Sequence, residues 1–269
     1  MPMTPHNEAG LLARLRAGEP TLMLAIRGAR TAEVVHLARS TGHHAVLVDL
    51  EHSSMSTDTA AALCTVADAL GLTPLVRIPE RDYGIIGRVL DGGAHGIVAP
   101  RIETADQAAD VAAAGRFPPH GRRSQIAQVP ATGMRPTPAT ELNPALNQTT
   151  IVQILIETPA GIANAEEIAS VEGVDMIALG ANDLTAELGV PGDYRDPRVR
   201  DAVATLGEAC RKHGKLLMIG GIADLDLLLS LFPLGVSPLV MTGADTAHLY
   251  QGMKASAERY AAALANGTE

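Results

Sequence analysis

Short apolar runs alternate along the chain with longer stretches in which apolar side chains recur every three or four residues. Runs of the first kind predict buried parallel strands, and stretches of the second kind predict helices that cover them. The predicted strands span residues 22–26, 45–50, 74–78, 96–100, 151–156, 176–179, 216–219 and 239–241. Eight strands that alternate with helices predict a single (β/α)8 TIM barrel over residues 1–269, a usual length for that fold.

An open doubly wound sheet is the alternative for the same alternation of elements. Such a sheet, when it binds a dinucleotide, carries a glycine-rich fingerprint after its first strand. Here the first strand is followed by Arg27-Gly28-Ala29-Arg30, which lacks that fingerprint. The pattern therefore favours the closed barrel.

Two acids follow neighbouring strands in the stretch 151–184. Glu157 follows the fifth predicted strand and Asp183 follows the sixth, with a helical stretch between them. Parallel strands end at the same side of a barrel, so we expect the two carboxylates to lie side by side. Each acid alone fits a helix cap or a loop ion pair equally well. Together they predict a divalent cation between them, because adjacent carboxylates otherwise repel each other.

Other polar side chains follow earlier predicted strands. Asp49 and His52 flank the end of the second strand, with Glu51 between them, and Arg77 lies near the end of the third. Arg77 either balances the acids or binds a substrate oxyanion. His52 is either an ordinary loop histidine or a general base, and Asp49 either takes part or only anchors the loop.

Composition narrows the partners. The formal net charge of −9 argues against a nucleic-acid or anionic-membrane partner. The first ten residues lack the layout of a signal peptide, and no apolar run has the length needed to cross a bilayer. Cys64 and Cys210 match no metal or redox spacing, so we expect reduced core thiols in a cytoplasmic protein.

Two segments depart from the regular alternation. Residues 116–150 are rich in proline and arginine, with a short predicted helix at 139–146. A connection of this length is expected to fold over the barrel or to reach a neighbouring subunit. The last helix, which begins at Thr246, carries an apolar stripe that suits either a subunit interface or the outer ring of a monomeric barrel. The stripe comprises Tyr250, Met253, Ala257, Tyr260 and Leu264.

Lysine is missing from the predicted strand ends. Lys212 and Lys215 flank the start of the seventh strand, and Lys254 lies in the last helix. Since a Schiff-base enzyme needs an amine beside its substrate, that chemistry is not expected here. A metal ion is the remaining electron sink if the enzyme forms a carbanion.

Five blocks of sequence resemble a known family. They are VLVDLEHSSMS, PLVRIPE, GGAHGIVAPRIETADQA, RFPPHGRR and ILIETPAGIANAEEIASVEGVDMIALGANDL, within residues 45–190. In this order they are similar to the class II, metal-dependent pyruvate aldolases of the HpcH/HpaI type. That group includes the 4-hydroxy-2-oxoheptanedioate and 2-dehydro-3-deoxyglucarate aldolases.

The resemblance implies a binding site for a 2-oxo acid. Glu157 and Asp183 would hold Mg²⁺ or Mn²⁺, with Co²⁺, Zn²⁺ and Ni²⁺ as further candidates, and the ion would hold the substrate. Arg77 would steady the enolate oxygen. The backbone of Gly180, Ala181 and Asn182 would cradle the substrate carboxylate.

The resemblance also implies how protons move and how subunits assemble. His52 would move protons, tuned by Asp49 and Asp91, and a metal-bound water is the alternative base. The enzyme would add the enolate of pyruvate to an aldehyde, or cleave the resulting 4-hydroxy-2-oxo acid. It would form a trimer-based hexamer in which the last helix packs on a neighbouring subunit.

Four positions depart from the family pattern and bear on the substrate more than on the reaction. Leu50 and Ser124 replace small residues, and Asn182 places an amide where a small residue is usual. Arg101 replaces an apolar residue and, with the nearby Arg122 and Arg123, would add positive charge for an acidic or hydroxylated acceptor.

Two other functions remain open from sequence. A lyase acting on coenzyme A thioesters uses a related barrel, and a non-catalytic 2-oxo-acid binding protein could use the same pocket. The joint presence of Glu157, Asp183, Arg77 and His52 argues for an enzyme, because a sensor needs neither both metal acids nor a base.

Overall fold

The computed structural model describes residues 10–266, in which eight parallel strands form one sheet. The strands are β1 (Thr21–Ile26), β2 (Ala45–Asp49), β3 (Thr73–Arg77), β4 (Gly96–Ala99), β5 (Ile151–Ile156), β6 (Met176–Gly180), β7 (Leu216–Gly220) and β8 (Leu239–Ala244). Consecutive strands from β1 to β7 pair with each other, and β8 pairs with β1. The predicted (β/α)8 architecture is confirmed.

Between β7 and β8 the barrel is only loosely joined. The bridge recorded there links Leu217 to Val236, just before β8, whereas β1 pairs with β8 over several residues. Side chains of β8 after Leu239 are half-buried, unlike the fully buried side chains of β2 to β5. The barrel is therefore nearly closed.

Helices connect and cover the strands. They are α1 (Leu11–Arg16), α2 (Glu33–Ser40), α3 (Thr57–Ala69), α4 (Ile86–Asp91), α5 (Ala105–Gly115), α6 (Ala139–Thr149), α7 (Pro159–Ala163), α8 (Ala165–Ser170), α9 (Ala181–Glu187), α10 (Pro197–His213), α11 (Leu225–Leu231) and α12 (Asp245–Asn266). Side chains cap several of the helices: Thr104 and Gln107 form a capping box on α5, and Asp196 caps α10. One predicted helix is two, since Asn164 separates α7 from α8.

Two apolar cores hold the barrel together. The larger one lies between the sheet and the surrounding helices and takes in side chains such as Val48, Ile97 and Leu206. The smaller one fills the barrel interior, where Leu11 and Leu15 of α1 pack with Met23 and Leu75. Both cores consist mainly of aliphatic residues, as the scarcity of aromatic residues predicts.

The long connection lies at the end of the barrel where the strands begin, which we call the base. It leaves α5 at Gly115, and helices of such barrels run antiparallel to the strands. Phe117, Val129, Leu142 and Leu146 form a small core of their own there. Within its own chain the segment therefore folds over the base, and we call the opposite end, where the strands stop, the mouth. A contact of this segment with a neighbouring subunit stays a prediction.

The last helix, α12, stands away from the barrel. Asp245 is its buried residue, and the side chains from Thr246 to Asn266 are all exposed. Tyr250 is 62% exposed and Met253 70%. The stripe does not pack against the barrel of its own chain, so it does not belong to the outer ring of a monomeric barrel.

Cys64 and Cys210 are free and buried. Within residues 10–266, no helix has both the length and the apolar character to cross a membrane. A cytoplasmic location stays a prediction of the sequence.

Candidate active site

A cavity of about 420 Å³ opens at the mouth and reaches down into the barrel. Its deeper wall is apolar, with Met23, Leu155 and Met218 among the lining side chains. Its upper wall is polar and formed by residues that follow four different strands. These are Arg27 after β1, Arg77 on β3, Glu157 after β5, and Gly180 to Asp183 after β6.

Glu157 and Asp183 both line this cavity, on neighbouring strands as predicted. Glu157 is 5% exposed and accepts a hydrogen bond from the Arg101 backbone N–H at 2.9 Å. In the part of the chain that the structure describes, no cationic side chain forms an ion pair with it. Burial, followed by the charges of Asp183 and Glu51, raises the pKa of Glu157 to about 7.

Close packing holds the Glu157 carboxylate against β6. A Cβ added at Gly180 would lie 2.5 Å from Glu157 Oε2, and therefore only glycine leaves room for this side chain. A larger residue at position 180 would therefore collide with the Glu157 side chain, which explains the glycine there without a turn.

Glu51 is a third acid near this pair, and the sequence analysis gave it no role. Its carboxylate lies 3.1 Å from Arg77 Nη1. Burial raises the pKa of Glu51, with Asp49 and Asp183 adding to the shift and Arg77 opposing it. Glu51 lies between the end of β2 and His52 in the sequence, and this position alone made it a candidate site residue.

Asp49 organises two arginines. Its carboxylate is fully buried and accepts from Arg77 Nε at 3.0 Å and Nη2 at 2.5 Å, a bidentate pair. It also accepts from Arg27 Nε at 2.8 Å. Burial alone would raise the pKa of Asp49, but Arg77, the His52 N–H and Arg27 together lower it to about 2. Asp49 therefore stays ionised and fixes both guanidinium groups.

His52 lies at the edge of the site. Its side chain is 53% exposed, and its Nε2 is 3.7 Å from Glu51 Oε2. Asp49 bonds to the backbone N–H of His52 at 3.1 Å, not to the ring. The carboxylate that faces the imidazole is thus Glu51, in place of the expected Asp49.

Arg27 is the cavity residue that the sequence analysis missed as a site residue. Its backbone N–H and those of Gly28 and Ala29 donate to Asp245, the buried first residue of α12. This carboxylate locks the turn after β1 and so sets the direction of the Arg27 side chain. The sequence did indicate this residue, because Arg27 directly follows the first strand, as Glu157 directly follows the fifth.

Asp91 does not join the site within one chain. It is the last residue of α4, at the base, where it pairs with Arg123 at 2.6 Å. Arg122 also lies in the segment at the base and pairs with Asp110 at 3.0 Å. The expected grouping of Arg101 with Arg122 and Arg123 is wrong, because α5 separates Arg101 at the mouth from the other two.

Arg101 itself serves the site through its backbone. Its φ of 52° is unusual for a residue other than glycine, and its N–H donates to Glu157. Its guanidinium turns away to Glu187, 2.5 Å from Oε1.

The turn from β6 into α9 forms one side of the cavity. Asn182 Oδ1 accepts a hydrogen bond from the Tyr194 hydroxyl at 2.5 Å, and the amide packs against Gly221. Gly221 has a φ of +94°, so the chain turns tightly after β7 beneath this amide. The substitution at Asn182 therefore ties together the loops that follow β6 and β7.

The donors present fit a hard divalent cation that keeps ligands from outside the chain. Over residues 10–266, no group of three or more His, Cys, Asp and Glu side chains could hold a metal ion. Two cavity-lining carboxylates suffice for an ion such as Mg²⁺, which usually keeps waters and binds substrate oxygens as well. Burial and the charges of Asp183 and Glu51 raise the pKa of Glu157 more than Arg77 and the Arg101 N–H lower it.

Most of the chain is similar to known proteins. Residues 22–228 match the model of a family described as HpcH/HpaI aldolase/citrate lyase. A 4-hydroxy-4-methyl-2-oxoglutarate aldolase of Hapsidospora irregularis is 37% identical over 214 residues, 79% of each chain. A hydroxypyruvate/pyruvate aldolase of Delftia acidovorans is 31% identical over 203 residues, 76% of this chain and 75% of that one.

A solved structure shares the whole architecture. The crystal structure of an HpcH/HpaI aldolase/citrate lyase family protein from Burkholderia cenocepacia is 27% identical, with a TM-score of 0.81. The alignment covers 93% of this chain and 98% of the other.

Proposed function

Because the chain belongs to the HpcH/HpaI aldolase/citrate lyase family, we propose how the residues at its mouth carry out an aldolase reaction. The chain is an aldehyde-lyase of the class II type. It makes or cleaves 4-hydroxy-2-oxo acids by reversible addition of a pyruvate-type enolate to an aldehyde. The aldolase names of its relatives favour this over a lyase that acts on coenzyme A thioesters.

One observation supports the location of the reaction. Glu157 is a buried acid that faces Asp183 and Glu51, with no cationic side chain in ion-pair contact within residues 10–266. We propose that Glu157 and Asp183 hold a divalent cation, Mg²⁺ or Mn²⁺ by their oxygen ligands. When bound, the cation would supply the positive charge that stabilises the enolate of the 2-oxo acid.

The chain's own groups then orient the 2-oxo acid. Ala181 and Asn182 begin α9, and the first N–H groups of a helix have no partner within it. They can donate to the substrate carboxylate. Arg77, held by Asp49, presents a fixed guanidinium that can donate to the enolate oxygen. Both groups are positioned before substrate arrives, so little reorganisation is needed.

Proton transfer needs a base near the new alkoxide. His52, beside Glu51, is the side chain proposed for this role, and a water molecule in the cavity is the alternative. In the direction of synthesis, the imidazole would donate a proton to the new alkoxide. In cleavage, the neutral imidazole would accept the proton of the C4 hydroxyl.

The acid pair is tested by Glu157→Ala and Asp183→Ala. Each variant is expected to lose activity by a factor on the order of 10³ or more, because the cation contributes several kcal/mol. Calorimetric titration with Mn²⁺ should show metal binding lost in parallel. Asp226→Ala, which removes an exposed acid in the first turn of α11, is the matched control and should keep both properties.

Near-normal turnover of either variant with metal bound would contradict the proposed site. Exchange of the pyruvate methyl protons into heavy water separates an enzyme from a binding protein. Exchange that depends on Mg²⁺ or Mn²⁺ is expected, whereas pyruvate binding without exchange would favour the non-catalytic alternative.

We also propose that α12 packs on a neighbouring subunit, as in a trimer-based hexamer. Leu249, Tyr250, Met253, Tyr260 and Leu264 are each more than 60% exposed, an unusual number of large apolar side chains for one free helix. Light scattering should give a hexamer for the full chain. Replacing Met253 and Tyr260 by glutamate should lower the mass, and a monomeric unaltered chain would contradict this assembly.

A further inference from the structure

We propose that Arg27 determines acceptor specificity by binding a carboxylate of the acceptor, so that the preferred acceptor is an oxo acid. The proposal rests on the proposed aldolase function and extends it from the donor to the second substrate. It assigns a role to a cavity residue that neither the acid pair nor the proton transfer uses.

Arg27 has guanidinium nitrogens that bind no other residue among those that the structure describes. Of its guanidinium N–H groups, Nε donates to Asp49 at 2.8 Å. Within the described chain, its Nη1 and Nη2 have no hydrogen bond or ion pair, although the side chain lines the cavity and is 40% exposed. A guanidinium with two free terminal nitrogens is suited to bidentate binding of a carboxylate.

Arg77 cannot take over this role while it keeps its contacts. Its Nε and Nη2 bind Asp49, its Nη1 binds Glu51, and its side chain is only 10% exposed. Asp49 thus holds two arginines with different proposed roles. It fixes Arg77 on β3 for the enolate oxygen, and it binds Nε of Arg27 so that the terminal nitrogens of Arg27 are free for the acceptor.

The remaining cations at the mouth are already engaged. Arg101 pairs with Glu187, Arg195 pairs with Asp224 at 2.6 Å, and Arg30 donates to the carbonyls of Arg27, Gly28 and Ala29. None of these three side chains lines the cavity. The positive charge for an acidic acceptor, which the sequence suggested for Arg101, is therefore supplied by Arg27.

Strand order places Arg27 opposite the proposed metal acids. β1 lies four strands from β5 in the order of the sheet, so Arg27 and Glu157 approach the cavity from opposite sides of the barrel. A 2-oxo acid held beside Glu157 and Asp183 would leave the acceptor between its reactive carbon and Arg27. The acceptor carbonyl then points to the donor and its carboxylate points to Arg27.

The test compares acidic with neutral acceptors of similar length, using the metal-loaded full-length enzyme and pyruvate as donor. Glyoxylate is paired with glycolaldehyde, and succinic semialdehyde with butanal, so that short and long reaches are both covered. In Arg27→Gln, kcat/KM for the acidic member of at least one pair should fall about 10- to 100-fold relative to the neutral member. Arg27→Lys should recover part of this preference.

Two controls separate acceptor binding from other effects. Arg195→Gln removes the same charge from an exposed site outside the cavity and should leave the ratio unchanged. Pyruvate methyl-proton exchange, which needs no acceptor, should fall in Arg27→Gln by a smaller factor than kcat/KM for the acidic acceptor, because Arg77 still holds Asp49.

Two results would overturn the proposal. An unchanged ratio for both acceptor pairs would show that Arg27 does not sense the carboxylate. An equal loss with acidic and neutral acceptors, together with slower exchange, would show that Arg27 only positions Asp49. Failure of the aldolase function itself would appear separately, as an absence of metal-dependent exchange in the unaltered enzyme.

Discussion

The base and the mouth of the barrel both hold acids that are at least partly buried, but an arginine pairs with each acid named at the base, whereas Glu157 at the mouth has no ion pair within residues 10–266. Burial raises the pKa of Asp175 as well, although Arg116 opposes that shift. At the base, Asp175 lies 2.7 Å from Arg116 Nη2 and accepts from the Val152 N–H at 2.8 Å. Asp91 lies 2.6 Å from Arg123 Nη2. At the mouth, Glu157 receives one backbone N–H and faces two other acids. We call an acid matched when an arginine pairs with it and unmatched when none does. A matched acid stabilises the fold, whereas an unmatched one is available to bind a cation.

The arginines of the base come from the long connection. Arg116 also donates to the carbonyls of Thr150 and Gly173, so it joins α6, β5 and the start of β6. Arg123 lies 4.6 Å from the centre of the Phe117 ring. The segment of residues 116–150 therefore stabilises the base by joining neighbouring helices and strands.

Asp49 shows that position alone does not decide the setting. It lies at the mouth, yet two arginines and two backbone N–H groups satisfy it. Its pKa is lowered to about 2 while that of Glu157 is raised to about 7. Within one site, Asp49 holds two arginines, whereas Glu157 has no ion-pair partner among residues 10–266.

The largest effect that would test this contrast is a loss of stability at the base. Arg116→Met removes the partner of Asp175 and three bonds to backbone carbonyls. We expect the free energy of unfolding to fall by about 3–5 kcal/mol, because breaking a buried pair leaves a charge uncompensated. Urea unfolding measures it, and turnover per folded molecule should stay unchanged.

Arg122→Met is the matched control from the same segment. Arg122 and its partner Asp110 are both more than half exposed, so the free energy of unfolding should change by less than about 1 kcal/mol. Equal losses in the two variants would mean that the segment is weakened generally. A loss of turnover per folded Arg116→Met molecule would break the division between a structural base and a catalytic mouth.

The sequence predicted the parts of the site that depend on strand periodicity. Glu157 and Asp183 follow buried apolar runs, and parallel strands bring their ends together, so their position at one mouth followed directly. Arg77 was placed by the same reasoning. Leu50 is buried in the outer core, and no feature of the structure links it to substrate choice.

Contacts that depend on loop geometry could not be predicted. Asp49 accepts from the His52 N–H because the turn after β2 folds back on its own strand, and it accepts from Arg27 because Asp245 fixes the turn after β1. Nothing in the local pattern specifies either turn. Asp91 was assigned to the site by resemblance, although its place at the end of α4 puts it at the base. The exposure of α12 also lies beyond pattern analysis, because an apolar stripe does not reveal what covers it.

At the mouth, replacing Glu157 should raise the free energy of unfolding, in contrast to the loss expected for Arg116→Met. This smaller effect should depend on pH. Glu157 has a pKa of about 7 in the folded chain against a usual value of 4.5. Its protonated form is therefore favoured by folding, and that stabilisation is complete below pH 4.5 and lost as the pH rises through 7. The shift corresponds to about 3 kcal/mol.

In the presence of a chelator, the free energy of unfolding of Glu157→Gln should exceed that of the unaltered chain by up to that amount as the pH rises from 4.5 to 8, as measured by urea unfolding at each pH. Asp226→Asn, which removes an exposed charge, should show no such pH-dependent difference. Saturating Mn²⁺ should abolish the advantage of Glu157→Gln at pH 8, because the ion stabilises only the chain that binds it. A difference that is the same at both pH values would mean that Glu157 is already matched, and the contrast between mouth and base would fail.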